Sequence, residues 1–256
     1  MSSALDYEKI AHLYDSYLRF TDDLPFFIQE CQKAEGSVLE LMCGTGRISI
    51  PLLEAGVNLT CVDSSPAMLA IFRQKLIEKE LNTTLIEANV TDLKLETQFD
   101  LILLPFKSFH ELKTKTEQQK VLDKIAELLN LNGRFICTLH NPEVRLKSIN
   151  QSSTKYGPFP RLDGMGFVSL SVELKHKPET GIVSGYQTIY ELDEAQNTIA
   201  EHKLPVEFSL IELEYFQELL QLTGFEVEEV FGNYDYSPFI PETSPYLIIC
   251  THKFSR

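Results

Sequence analysis

The sequence predicts an α/β protein: a mostly parallel sheet with helices on both faces, into which an antiparallel β lid is inserted after the fifth strand. Three observations predict it. Short β-like apolar runs alternate with helix-spaced segments between residues 37 and 140, which implies right-handed crossovers and parallel strands. The alternation then stops, and residues 142–208 carry runs in which apolar and polar side chains alternate. After residue 209, helix and strand return.

The elements follow in order. Residues 5–34 read as helical, with Ile10, Leu13, Tyr14 and Tyr17 at helix spacing, followed by a second helix around residues 25–34. The first strand, 37–41, runs into a glycine turn and a helix from Arg47 to Glu54, where Pro51 sits early enough to cost at most one hydrogen bond. A strand at 58–63 precedes a helix from Pro66 to Glu80; Ser64 or Ser65 can cap it, and Pro66 suits its first turn. Strands at 83–90 and 100–106, a helix from Glu117 to Leu129 and a strand at 133–140 complete the first half. Gly133 and Gly224 each follow a helical run, where a left-handed residue is expected. In the insertion, runs at 165–176 and 182–192 flank Lys177–Gly181 as a hairpin, and 197–210 reads as a third antiparallel strand. A helix over 211–224, a strand at 224–232, an aromatic loop and a last strand at 246–254 close the chain. The predicted division is a core of 1–141 and 209–256 with an inserted subdomain of 142–208.

With 37 acidic against 23 basic side chains the net charge is −14, which repels a phosphate backbone and argues against nucleic acid as a partner. No apolar run approaches the roughly 20 residues of a membrane span. Nothing at the start resembles a secretion signal, so a cytoplasmic location is expected. The five cysteines are scattered, without a C-x-x-C pair or zinc-like spacing; they read as buried thiols, and no metal is expected.

The sharpest signal is the segment from Val38 to Ser49, a strand entering a turn with glycines at 44 and 46. Without a Cβ the turn can be tight and a ligand can approach its backbone. Glu40 stands beside it, and Asp63 ends the next strand, where an acid usually meets ribose hydroxyls. Ser49 replaces the third glycine that a dinucleotide fold prefers.

These residues resemble the class I S-adenosylmethionine (SAM)-dependent methyltransferases, especially the small-molecule branch that includes glycine and amino-sugar N-methyltransferases. The likeness covers residues 5–140 and, more loosely, 209–253, with Met42 in place of the first glycine of the acid-x-Gly-x-Gly-x-Gly pattern. It implies a Rossmann-like sheet of seven strands and SAM as cofactor, leaving S-adenosylhomocysteine (SAH). It also implies roles by position. Gly44 and Gly46 would pack on the methionyl part, Asp63 would bind the ribose with Ser64 beside it, and Met68 would line the adenine. The side-chain oxygen of Asn89 and the amide of Val90 would meet adenine, and Leu104, Pro105 and Phe106 would lie near the sulfonium. Glu40 offers negative charge near the SAM ammonium, while Tyr7, Tyr14 and Arg19 would fold over SAM and help hold its carboxylate.

The expected reaction moves a methyl group to the amine, hydroxyl or carbon of a small molecule. Its main demand is alignment; a hydroxyl or carbon acid also needs a base. His110, just past the fourth strand, is the first candidate base and His140 the second. Two other readings stay open: a nicotinamide-type oxidoreductase on a similar sheet, and a non-catalytic SAM-binding protein whose inserted sheet forms a homodimer interface. Arg145, Lys147, Lys155, Arg161, Lys175 and Lys177 of the insertion could attract an anionic substrate or simply be a solvated face. Tyr234, Tyr236 and Phe239 could wall the acceptor pocket or cover the sheet edge.

Overall fold

The structure is a computed structural model that describes residues 7–34, 36–149 and 153–254. Seven strands form the main sheet: β1 (Val38–Leu41), β2 (Leu59–Asp63), β3 (Thr84–Glu87), β4 (Phe99–Leu104), β5 (Leu129–His140), β10 (Phe225–Phe231) and β11 (Tyr246–Lys253). Their order is β10-β11-β5-β4-β1-β2-β3, parallel from β5 through β3, with β11 antiparallel to both of its neighbours. Alternate side chains of each strand supply two cores. Leu39, Leu41, Ile102, Leu104 and Phe135 face α5 (Lys115–Leu128) and α7 (Leu213–Leu222). Val38, Cys61, Leu101, Leu103 and Ile136 face α2 (Leu24–Lys33), α3 (Ser49–Glu54) and α4 (Pro66–Glu78). Because both faces are covered, β1 is buried along its whole length and reads as a continuous apolar run broken only by Glu40.

Local chemistry sets the boundaries. Ser65 caps α4 by accepting from the Met68 amide at 3.3 Å. Thr114 and Glu117 make a reciprocal capping box, so α5 begins at Lys115, two residues before the predicted start. Pro51 is the third residue of α3, where no backbone bond depends on its nitrogen. Gly224 is left-handed after α7 as expected, but Gly133 is not; Asn132 takes the left-handed position, at φ 65°, and β5 starts directly after α5.

Between β5 and α7 the chain forms α6 (Pro142–Ile149) and a separate antiparallel sheet in the order β6 (Thr154–Pro160), β7 (Phe167–Lys177), β8 (Ile182–Leu192) and β9 (Thr198–Ser209). This corrects the three-strand reading: β6 carries two prolines and a glycine and gives no alternating pattern, yet pairs with β7 across a register shift. Pro205 is tolerated in β9 because β9 is an edge. Ile10 and Leu13, the latter on α1 (Ala11–Tyr17), pack against Val168, Leu170, Ile189 and Leu204, so the N-terminal segment joins the inserted sheet to the core. No helix among the described residues is long and apolar enough to cross a membrane. No group of three or more His, Cys, Asp or Glu side chains among them could hold a metal ion. All five cysteines are free and buried.

Candidate active site

Strand order reverses between β1 and β4, which leaves a crevice beyond the strand ends, the usual ligand position in an open α/β sheet. β1 enters it through a turn with three left-handed residues: Met42 at φ 57°, Gly44 at 56° and Gly46 at 80°. Met42 bears a cost of about 1 kcal/mol that a glycine would avoid. The two glycines do different work. A Cβ on Gly44 would meet nothing within 4 Å, so that side of the turn is open to a ligand; on Gly46 it would lie 2.5 Å from the Phe72 ring, so Gly46 serves the packing of α4.

Asp63, at the tip of β2, accepts from the Gly44 amide at 2.7 Å and the Ser65 amide at 2.8 Å. Burial lifts its carboxyl above the usual range, and amides of Ser65, Gly44 and Ser64 pull the other way. Ser64 beside it is exposed, and Met68 is buried in the first turn of α4. Glu40 is buried and accepts from Ser49 Oγ at 2.6 Å, and that burial pushes its carboxyl up to about 7. The exposed Asn89 uses its side-chain oxygen on the amide and hydroxyl of Thr91, both at 2.9 Å, while Val90 is buried. Leu104 is fully buried at the end of β4.

Past Leu104 the chain turns sharply, with Phe106 at φ 55° and Lys107 at φ 67°. Two successive left-handed residues with side chains are backbone strain that persists only where surroundings enforce it. The turn delivers His110, and here the first expectation for a base fails. His110 Nδ1 lies 2.6 Å from the Ser209 carbonyl oxygen, and Nε2 accepts from the His140 amide at 2.8 Å. Both nitrogens are occupied and burial depresses the ring to about 4, so His110 is a neutral tie between the post-β4 turn, β5 and β9, with no nitrogen left to take a proton. The His140 ring stacks on it at 5.1 Å. Burial and the neighbouring His110 hold His140 well below its ordinary value, and its ring nitrogens make no hydrogen bond among the described residues.

The N-terminal segment folds over the crevice. Asp15 accepts from Thr45 Oγ1 at 2.7 Å and pairs with Lys75 at 2.6 Å, and Glu8 accepts from Ser65 Oγ at 2.8 Å. Arg19 does not join them. It is exposed and donates to the Ser16 and Pro160 carbonyls, so it fastens this segment to β6 rather than facing the crevice. Arg47, just after the glycine turn, is bidentate to Asp23 at 2.7 Å and lies over the Phe106 ring at 4.6 Å.

Between the crevice and the inserted sheet lies a cavity of about 410 Å³. Tyr7, Tyr14 and Tyr17 form one wall as an edge-to-face series, and Phe159 and Phe208 belong to another. Its charged or titratable groups besides the tyrosines are Lys107, His110, His140, Arg145, Glu111 and Glu207. Glu111, next to His110 in sequence but not singled out there, accepts from Tyr7 Oη at 3.3 Å, and burial pushes its carboxyl up to about 7. Its adjacency to the strand-end turn was the available signal. Tyr234 and Tyr236 pack on Phe26 at 5.8 and 4.9 Å and do not line the cavity, so the aromatic loop covers the core.

A crossover crevice, an antiparallel penultimate strand position and an inserted sheet together define a Rossmann-like methyltransferase fold. Residues 38–133 match the family model described as a methyltransferase domain. A Geobacillus sp. (strain WCH70) protein named as a putative methyltransferase is 28% identical over 144 residues, covering 54% of this chain. The chain spans 58% of that relative's length. A S-adenosylmethionine-dependent methyltransferase from Clostridium acetobutylicum superposes with a TM-score of 0.82 at 19% identity, covering 97% of this chain and 99% of the other. A sugar N-methyltransferase from Streptoalloteichus sp. gives 0.70 at 17% identity over 91% and 85% of the two chains. The methyltransferase-domain match thus lies on the β1-to-β5 half of the sheet, within a fold shared along nearly the whole chain with a SAM-dependent methyltransferase.

Proposed function

We propose that this chain transfers the methyl group of SAM to a small acceptor seated in the cavity between the crevice and the inserted sheet. The observation that carries the reading is the Asp63–Gly44 clasp: a carboxylate at the second strand tip, tied to a turn whose open side a Cβ would fill. The carboxylate suits ribose hydroxyls, with Ser64 beside it; Met68 in the first turn of α4 and Asn89 and Val90 just past β3 are assigned to the adenine, and Leu104 to the side of the sulfur. Glu40 contributes negative potential behind the turn rather than a direct contact, since it is committed to Ser49. Tyr14 stands over the crevice with α1, and Arg19 acts by holding that segment to β6.

SAM supplies a methyl group on a positively charged sulfur. The chain has to align an acceptor with it and keep water out, and orientation of this kind can supply about 7–11 kcal/mol. The tyrosine wall and the inserted sheet enclose the acceptor, while Glu111, poised near neutrality, takes the proton that an amine must lose. An amine acceptor agrees with the sugar N-methyltransferase of the same fold. His140, with uncommitted nitrogens, offers the acceptor one neutral hydrogen bond. The inner face of the inserted sheet is taken by Ile10 and Leu13 of its own chain, which favours a lid over a dimer interface.

Calorimetry with SAM and SAH tests the cofactor. Both should bind to the unmodified protein, and Asp63→Ala should weaken SAH by roughly a hundredfold, as expected for a charged group accepting from two hydroxyls. Incubation with methyl-labelled SAM and pooled small amines should then label product. Binding without labelling of any acceptor would leave a SAM-binding protein and refute the enzyme.

A further inference from the structure

The cavity is electrically divided. Glu111 and Tyr7 stand at one end, within electrostatic reach of Asp63 and hence of the crevice. Lys107 and Arg145 stand together at the other, around the two neutral imidazoles. The partly buried arginines elsewhere are matched with carboxylates: Arg47 with Asp23, Arg134 with Glu30 and Glu228, Arg161 with Asp163 and Glu191. Arg145 is the exception. Its Nε is buried without a hydrogen-bond partner among the described residues, and its Nη1 reaches only Ser148 Oγ, at 3.4 Å. Lys107 Nζ lies 4.5 Å from the Phe106 ring centre and 4.8 Å from that of Tyr246, with no ion pair among the described residues. Glu207, the other carboxylate on the cavity wall, is taken by Lys113 at 3.0 Å.

Leaving a guanidinium N–H buried and unpaired costs free energy, and Arg145 adds repulsion at Lys107, while Asp23, the carboxylate that acts on Lys107, is already paired with Arg47. A ligand anion would relieve both. A side pocket of about 80 Å³, lined by Arg145, Ser148, Thr154 and Tyr156, adjoins the cavity on that side and gives such a group room.

We propose that Arg145 receives an anionic group of the methyl acceptor, a carboxylate or a phosphate, with Lys107 adding positive potential, so that the substrate class is a small amine carrying an anion at its far end. The proposal rests on the methyltransferase reading. It gives the cavity a direction: anion at Arg145, amine at Glu111, reacting atom toward the crevice.

SAH affinity is measured first; if SAH does not bind, the methyltransferase reading falls and this proposal with it. SAH-saturated protein is then titrated with benzoate, phenyl phosphate and benzamide, which fit an aromatic-walled cavity and differ in charge. At least one anion should bind roughly tenfold or more tighter than benzamide, the worth of a charge-assisted bidentate contact, and the two anions separate carboxylate from phosphate. Arg145→Gln should abolish that preference with SAH affinity unchanged, and Arg145→Lys should restore part of it. Should the glutamine variant not fold, the wild-type comparison with benzamide still decides. Equal binding of anions and benzamide, no anion binding, or an anion preference that survives in Arg145→Gln would overturn the proposal while leaving the SAH result standing.

Discussion

The crevice and the cavity share a boundary but are assembled differently. The crevice is made almost entirely by one continuous stretch, β1 through the first turn of α4, whose turn residues, strand-tip acid and capping serine act within a few residues of one another. The cavity draws on segments far apart in the chain: Tyr7 to Leu18, Phe106 to Glu111, His140 to Arg145, and strands β6 to β9. A local pattern can announce the first kind of site. The second exists only after long-range packing, and a side chain in it can be a ligand contact or a strut depending on what it meets.

His110 and Glu111 sharpen that contrast, because they are adjacent in sequence but differently engaged: both ring nitrogens of His110 are taken, whereas Glu111 accepts from Tyr7 at the cavity wall. Glu111→Gln should lower kcat by two to three orders of magnitude on whichever acceptor the labelled panel identifies, with SAH affinity unchanged. The wild-type rate should rise with pH through about 7, as the carboxyl loses its proton, and the variant should lose that limb. His110→Ala should act on stability instead, by about 2–3 kcal/mol in urea unfolding, since it strands the Ser209 carbonyl and the His140 amide in a buried site. An undiminished fold with a lost pH limb in that variant would restore His110 as the base and collapse the distinction.

Glu40 and Glu111 also link the two regions to pH. Each is held near 7 in the folded chain, above its ordinary 4.5, so between about pH 4.5 and 7 the native state binds more protons than the unfolded one. Their contribution to stability is therefore present at low pH and lost as pH rises through that window. Glu111→Gln should raise stability at pH 8 by up to about 2 kcal/mol and leave it nearly unchanged at about pH 4, below the window, read from melting curves at both values. The smallest effect belongs to Arg19→Ala. With only two carbonyl contacts on an exposed side chain, it should change SAH affinity less than about twofold and stability by less than about 0.5 kcal/mol.

The strands, the helices and the glycine turn were legible because buried parallel strands and caps leave local signatures: Val38–Leu41 is apolar but for Glu40, Ser65 and Pro66 announce α4, and Gly44 needs a positive φ. β6 was not legible, since its glycine and prolines mask the strand. Nor was the left-handed place of Asn132, since the neighbouring Gly133 is the residue that ordinarily takes that conformation. On the site, Asp63 could be read from its position at a strand tip. The attachment of Arg19 to β6 could not, because it depends on where Pro160 lies in space. The same holds for Glu111, whose burial and hydrogen bond to Tyr7 depend on a segment more than a hundred residues earlier.

A crystal structure of the protein grown with SAH tests the central claim most directly. The account predicts its ribose on Asp63, its amino-acid end along the open face of Gly44 and its sulfur at the mouth of the cavity that holds Glu111 and His140. An empty crevice at saturating SAH, or SAH bound with its sulfur turned away from that cavity, would contradict it.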